Sequence, residues 1–209
     1  MLLSPEAIQD HIPKYLTAPL QEELFKNLKG FPENFNYYWN KLASDSEVLQ
    51  GDGWRGLELV DFSTREHRSV KGIVLSNSCD IAPENERDRA SSIVFAPLIR
   101  LSALIEVWKS SGISEELVED KVRNIRLQRN TKILYLPHGA GLSEEYIAHL
   151  DDIHSFPASV FLENRSRERL FSFTTAGFYL FVIKLSVHFC RLHENVMRTS
   201  EAQVAPTAP

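Results

Sequence analysis

Short apolar runs separated by polar turns occupy the middle of the chain and predict a β-sheet. The clearest run, Ile-Val-Leu at 73–75, leads into Ser-Asn-Ser-Cys-Asp at 76–80, residue types that end strands and bond their own backbone. A second run at 93–96 stops at Pro97, which has no N–H to donate to a sheet ladder. We therefore expect a buried central strand with a polar turn at its tip, and a partner strand that ends at Pro97.

Further strands are predicted on both sides of this pair. Gly51-Asp52-Gly53 is a turn signal leading into a first strand at 57–62, and a polar loop at 63–69 then joins that strand to the central one. The remaining runs predict strands at 133–136 and 146–150, and a further run at 170–174 is short and aromatic.

Helical spacing dominates the rest of the chain. We expect helices at 4–13 and 19–29, a pair within 101–130 broken at Gly112, and a long terminal helix after Thr174 with an apolar stripe from Phe178 to Val196. Aromatic residues at 35–42 also have helical spacing. That aromatic face either packs on the sheet or caps a binding surface or dimer contact.

Composition narrows the classes of protein that fit. The 209 residues carry a formal charge of −5, and no apolar run approaches the roughly 20 residues that span a membrane. The first residues lack the cationic flank of a signal peptide, and two cysteines are too few for a disulfide framework or a zinc site. We expect a cytoplasmic protein without membrane partner, metal or cofactor. The charge argues against bulk electrostatic binding of nucleic acid, although a local basic patch remains open.

Several polar side chains are candidates for chemistry. Arg65, His67 and Arg68 lie in the 63–69 loop, where arginine could hold a phosphate and histidine could exchange a proton; a solvated hairpin loop is the commoner interpretation. Cys79 is either a nucleophile or a small buried side chain. The basic C-terminal end of the helix near 115–132 could bind RNA. The helix dipole, however, also favours acidic residues near the N-terminus of a helix and basic residues near its C-terminus.

The order of short motifs resembles the MazF/PemK toxin family, small SH3-like barrels that cleave messenger RNA. Family members show a Gly-Asp before the first strand, a strand ending in Ser-Asn, a Val-Ala-Pro-Leu strand, and a late strand followed by Asp-Gln-hydrophobic-Arg. The counterparts here are Gly51-Asp52, Ser76-Asn77, the Val-Phe-Ala-Pro-Leu run at 94–98, and Asp-Asp-Ile-His at 151–154. The resemblance covers roughly residues 51 to 192.

The resemblance implies a protein that acts on or binds RNA. It implies an endoribonuclease only if other residues have replaced the family's catalytic residues. The family usually has Arg-Pro just before its second strand, where this chain has Val70-Lys71. It has Thr or Ser just after the Ala-Pro-Leu run, where this chain has Ile99-Arg100. We assign the replacement catalytic roles to His67, Arg68 and His154. Substrate binding is assigned to a larger polar set: Arg65, Lys71, Ser76, Asn77, Cys79, Asp80 and Arg100.

The expected architecture is α+β: a small SH3-like β-barrel at 51–198 with an inserted helical pair at 101–130 and a long C-terminal helix. Residues 1–50 would form a helical extension and 199–209 a disordered tail. Two other functions stay open. One is a catalytically inactive barrel that binds an antitoxin or other protein partner in a toxin–antitoxin or phage-defence system, and the other is a thiol enzyme centred on Cys79. A homodimer is compatible with the apolar helices.

Overall fold

The computed structural model describes residues 18–40, 47–61, 63–82, 84–85 and 90–189. Within these ranges the protein is α+β. The helices are α1 (Ala18–Lys29), α2 (Ser78–Ile81), α3 (Leu101–Ser110), α4 (Glu115–Arg126), α5 (Ala158–Glu163) and α6 (Thr175–Phe189). The strands are β1 (Gly53–Asp61), β2 (Glu66–Val74), β3 (Ser92–Arg100), β4 (Ile133–Leu136), β5 (Tyr146–His149), β6 (His154–Pro157) and β7 (Glu168–Phe171).

The seven strands of the described chain form one antiparallel sheet in the order β4-β5-β3-β2-β1-β7, with β6 beside β3. β3 belongs to two groups of strands: Ser92–Phe95 pairs with β6, and Leu98–Arg100 pairs with β5 on the same edge. The expected end of this strand at Pro97 is therefore wrong. Pro97 lies where β3 changes partner from β6 to β5, so its missing N–H removes no bond from either ladder.

β1 and β2 extend beyond the sheet as a two-stranded arm. Gly53–Arg55 pairs with β7 and Gly72–Val74 pairs with β3, whereas 57–61 and 66–70 pair with each other alone among the described strands. We call these outer halves and the turn between them the arm. The loop predicted at 63–69 is wrong in part, since β2 already begins at Glu66. Residues 66–69 are all exposed, so this part of β2 lacks the alternation of buried and exposed side chains that marks a strand.

Apolar side chains cover both faces of the sheet. One cluster contains Trp54, Leu57, Val74, Phe95 and Phe161, and another on the opposite face contains Ile73, Leu134, Leu136, Phe171 and Phe181. A third cluster lies beneath the helical pair, where Val118, Val122 and Ile125 of α4 pack on Ile133 and Ile147. The helical pair was predicted with its break at Gly112, and this prediction is confirmed.

The aromatic segment before residue 40 is extended, so its prediction as a helix is wrong for residues 35–40. Tyr38 bridges to Phe173, the Trp39 N–H donates to the Ser172 carbonyl at 3.0 Å, and the Thr174 N–H donates to the Tyr37 carbonyl at 2.9 Å. These backbone bonds replace the ones a helix would make. Tyr37 and Tyr38 are buried while the Trp39 side chain is 56% exposed.

The terminal helix α6 is confirmed, and so is part of the expected stripe, since Phe181 is buried and Phe178, Val182 and Leu185 pack against the same core cluster. Leu180, Phe181 and Lys184 are buried, whereas Phe189 is exposed. The Lys184 ammonium donates to the carbonyls of Gln128, at 3.1 Å, and Asn130. Burial lowers the Lys184 pKa from 10.5 to about 8.

The expected helix at 4–13, the end of the terminal helix and the tail lie outside the described residues. No helix in the ranges given above is long and apolar enough to cross a bilayer.

We expect Lys184 to make stability depend on pH. Below pH 8 Lys184 is charged in both states; between pH 8 and 10.5 the unfolded chain holds a proton that the folded protein has lost, so stability rises with pH. The free energy of unfolding should rise by up to about 1 kcal/mol per pH unit from pH 8 to 9.5. Urea titrations of Lys184→Met should lack this rise, and an equal slope in both proteins would contradict the assignment.

Candidate functional site

The two predicted catalytic histidines lie at different places on the sheet. His67 is in the arm, opposite Val60. His154 begins β6 opposite Phe95, which itself pairs with Val74 at the other end of β2. Seven residues of extended strand separate His67 from Val74, about 23 Å at 3.3 Å per residue. The structure therefore does not bring these two side chains together.

The arm carries three of the predicted residues. Arg65 occupies the turn with φ of 60°, and His67 and Arg68 follow it in β2 with exposed side chains. The Arg68 guanidinium lies 3.0 Å from the Glu66 carboxylate and 3.9 Å from that of Asp61. Hydrogen bonds from Ser63 hold the pKa of Asp61 below its ordinary value. The arm tip is thus a small exposed group of charges in which the arginine has acidic neighbours.

His154 has the surroundings of an acid–base group. Its Nε2 lies 2.9 Å from Asp152 Oδ1, and its ring packs 5.7 Å from the Phe95 ring. A carboxylate in contact with one imidazole nitrogen can fix the ring orientation and leave the other nitrogen for proton transfer. His154 is partly exposed, so a substrate could reach it.

Lys71 and Arg100 lie near each other through Tyr146. The Lys71 ammonium donates to the Tyr146 hydroxyl at 2.7 Å, and Arg100 is the strand partner of Tyr146. The Arg100 guanidinium is 3.8 Å from the Glu144 carboxylate. Neither basic residue belongs to the arm tip or to the surroundings of His154 that are described above.

Most polar side chains of the 76–80 turn hold the local backbone. Ser76 Oγ accepts the Val94 N–H at 2.7 Å, and Asn77 Oδ1 accepts the Cys79 N–H at 3.0 Å and caps α2. Ser78 Oγ accepts the Gln50 N–H at 2.9 Å. Cys79 is exposed, so its interpretation as a buried core side chain is wrong. Asp80 is also exposed.

The same turn borders a cavity that we call the Asp52 cavity. It has a volume of about 400 Å³, within the range of small-ligand sites. Four of its lining residues are apolar or aromatic: Trp39, Leu49, Phe173 and Phe178. The other four are polar: Gln50, Asp52, Ser78 and Ser172. Aromatic walls with a few polar groups are typical of a binding site.

Asp52 forms a buried ion pair with Arg169. The two residues are 2% and 3% exposed, and Asp52 Oδ2 lies 3.4 Å from Arg169 Nε. The guanidinium lies 4.8 Å from the centre of the Trp54 ring and donates to the Glu47 carbonyl. The Leu49 N–H donates to Asp52 Oδ2 at 3.2 Å. Both β1 and β7 are therefore tied to the segment that precedes β1.

Burial raises the pKa of the Asp52 carboxyl above its ordinary value, because desolvation outweighs the favourable neighbours Ser172 and Arg169. Those neighbours are imperfectly placed. Ser172 Oγ is buried without a well-aligned hydrogen bond, and so are Arg169 Nη1 and the Trp54 indole nitrogen. Unpaired buried polar atoms are costly and rare, so this cluster is unlike the rest of the core.

A second, smaller cavity of about 260 Å³ adjoins the first; we call it the Cys79 cavity. It shares Leu49 and Ser78 with the Asp52 cavity and is also lined by Cys79. Its charged lining residues are Glu47 and Glu84, and no described lysine or arginine lines either cavity. This side of the molecule is therefore acidic.

The sequence indicated parts of this site without identifying it. Asp52 stands in Gly51-Asp52-Gly53, which signals a turn, and nothing in that signal shows that the carboxylate is buried against Arg169. Trp39 belongs to the aromatic run for which a cap over a binding surface was one interpretation. Within the described ranges, no group of three or more His, Cys, Asp or Glu side chains is placed to hold a metal ion.

Comparison with known proteins gives no further guide to the site. No protein-family model matches the chain, and a search of curated proteins finds no match. Functional assignment therefore depends on the geometry of the residues described above.

Replacing Asp52 with Asn should destabilise the protein strongly, because it leaves the Arg169 charge buried without its partner. We expect a loss of about 3–5 kcal/mol in the free energy of unfolding. Strands β1 and β7 offer a matched control, the exposed Arg55–Glu168 pair at 3.0 Å, where Arg55→Ala should cost below about 1 kcal/mol. Urea unfolding measures both. Equal losses would show that the Asp52 pair is not desolvated.

Proposed function

We propose that the chain is an RNA-directed protein of MazF/PemK type with an SH3-like barrel at its core. The proposal is supported by the motifs that carry the resemblance, which lie within strands or directly beside them. Gly51-Asp52 precedes β1, Ser76-Asn77 follows β2, residues 94–98 lie in β3, Asp152 precedes β6 and His154 begins it. A strand such as β3 that passes between two groups of partners is also how small sheets turn a corner.

The observation that carries the proposal is the arm. Arg65, His67 and Arg68 project from the sheet at its tip, where a strand of RNA could lie across them without entering a cavity. Exposed ion pairs such as Arg68–Glu66 are worth only about 0–1 kcal/mol, so a phosphate can take the place of the carboxylate at little cost. Such contacts position a nucleic acid without reading its sequence.

Cleavage of the bound RNA would depend on His154. With Asp152 orienting the imidazole, His154 could take the proton from a 2′-hydroxyl as that oxygen attacks the adjacent phosphorus. The 5′-oxygen would then leave with a proton from a donor or from water. His67 lies too far along β2 to act at the same phosphate, so the two histidines have separate roles in this proposal.

A protein-interaction module is the second candidate, and the acidic side of the molecule favours it. Asp52, Glu47 and Glu84 line the two adjoining cavities, and the exposed Asp80 lies in the turn beside them. That side would repel a phosphate backbone. A chain of net charge −5 with an aromatic and acidic cavity is better matched there to a basic protein partner.

Neutralising the arm should weaken RNA binding in a salt-dependent way. We expect Arg65→Ala/Arg68→Ala to reduce the affinity for a 20-nucleotide single-stranded RNA by about 10-fold at low salt, and to lower the slope of log K against log salt by about 1.4, because two phosphate contacts are lost. Fluorescence anisotropy measures both. Lys109→Ala/Arg123→Ala removes the same charge from the helical pair and should change the affinity little.

Equal losses in the two double variants, or no RNA binding by the unaltered protein, would refute the RNA proposal. Cleavage is read separately on a long mixed-sequence RNA. Loss of cleavage in His154→Ala with anisotropy unchanged would assign the acid–base role to His154. RNA that stays intact with the unaltered protein would leave a binding protein only.

A further inference from the structure

We propose that the Asp52 cavity binds one guanidinium group, the arginine side chain of a basic segment in a partner protein. The site is separate from the arm, and its occupancy does not depend on RNA binding. Three features of the described residues carry the inference: the unused side of a buried carboxylate, the flat aromatic walls and the acidic surroundings.

The Asp52 carboxylate has acceptor capacity left. Oδ2 accepts the Leu49 N–H and lies beside Arg169, and the Ser172 and Trp54 side chains also lie close enough to lower the carboxyl pKa, although neither makes a well-aligned hydrogen bond. An ionised carboxylate offers about four lone-pair sites, so one oxygen can still accept a donor from the cavity. Ser172 Oγ, buried and without a well-aligned partner, lines the same space and can accept a second donor. Two acceptors side by side suit a group that presents two N–H donors.

The walls suit a flat cation. Trp39, Phe173 and Phe178 line the cavity, and the electron-rich face of an aromatic ring attracts a cation. The protein already holds one guanidinium in this manner, since Arg169 lies over the Trp54 ring and beside Asp52. A second guanidinium on the cavity side of the same carboxylate would repeat that arrangement. Arginine is preferred to lysine because its planar fork stacks on rings and bonds a carboxylate through two nitrogens.

Charge distinguishes a protein segment from a nucleic acid as the ligand. Glu47 and Glu84 line the adjoining cavity, and Asp80 is exposed in α2. No described basic side chain lines either cavity, so nothing there would offset the charge of a phosphate. These acids would instead attract the flanking residues of a basic peptide.

The test uses the whole chain labelled with 5-fluorotryptophan, which gives separate ¹⁹F signals for Trp39, Trp54 and Trp108. A Gly/Ser-flanked peptide with one central arginine is titrated, and the same peptide with citrulline serves as a neutral isostere. We expect the Trp39 signal to shift with the arginine peptide and the Trp108 signal to stay constant. The citrulline peptide should bind at least about 10-fold more weakly than the arginine peptide, because citrulline keeps the shape of the arginine side chain and lacks its charge.

Variants then localise the effect. Trp39→Ala removes a side chain that is 56% exposed, so the fold should persist while affinity for the arginine peptide falls at least about 5-fold. Trp108→Ala is the matched control and should leave the affinity unchanged. Equal binding of the arginine and citrulline peptides, an unchanged affinity in Trp39→Ala, or a Trp39 shift produced by guanosine and not by the arginine peptide would overturn the proposal. None of these outcomes bears on RNA binding by the arm.

Discussion

The buried ion pair between Asp52 and Arg169 is the constraint on which the rest of the structure depends. It joins the segment before β1 to β7, and through the guanidinium it also fixes Trp54 and the Glu47 carbonyl. Removing two charges from water is expensive, and replacing such a pair with apolar side chains is often neutral or stabilising. Its presence is therefore weak evidence for stability and better evidence for a role of the carboxylate at the cavity beside it.

The two ends of the β1–β2 hairpin differ because, in the part of the chain that the structure describes, only the inner end has flanking strands. At the inner end, β3 and β7 flank the hairpin, and the Asp52–Arg169 pair is buried there. At the outer end, β1 and β2 pair only with each other among the described strands. Arg68 forms exposed ion pairs there with Asp61 and Glu66. An RNA that meets the arm tip and a protein segment that enters the Asp52 cavity would then use opposite ends of one hairpin. Under the two proposals, both ligands could occupy one molecule at the same time.

The sequence predicted the elements whose side chains alternate or repeat strongly, such as β4, the helical pair and α6. It failed where a tertiary partner decides the outcome. Residues 35–40 have helical spacing but pair with 172–174 instead, and Pro97 continues a strand because its neighbours change at that point. The burial of Asp52 and Lys184 could not be predicted either, since a charged residue in a turn or on a helix is normally exposed. The predicted site residues fall into separate groups: the arm tip, the 76–80 segment, the surroundings of His154, and Lys71 with Arg100 beside Tyr146.

The central claim is that Asp52 is a desolvated carboxylate, and a ¹³C NMR titration of the aspartate carboxyl groups tests it most directly. Asp52 and Asp61 are near the two ends of the same hairpin and provide an internal comparison. We expect the pKa of Asp52 to lie above the ordinary value of 3.8 and that of Asp61 to lie below it. An Asp52 pKa at or below that of Asp61 would contradict the account, because the carboxylate would then be solvated or fully compensated by Arg169.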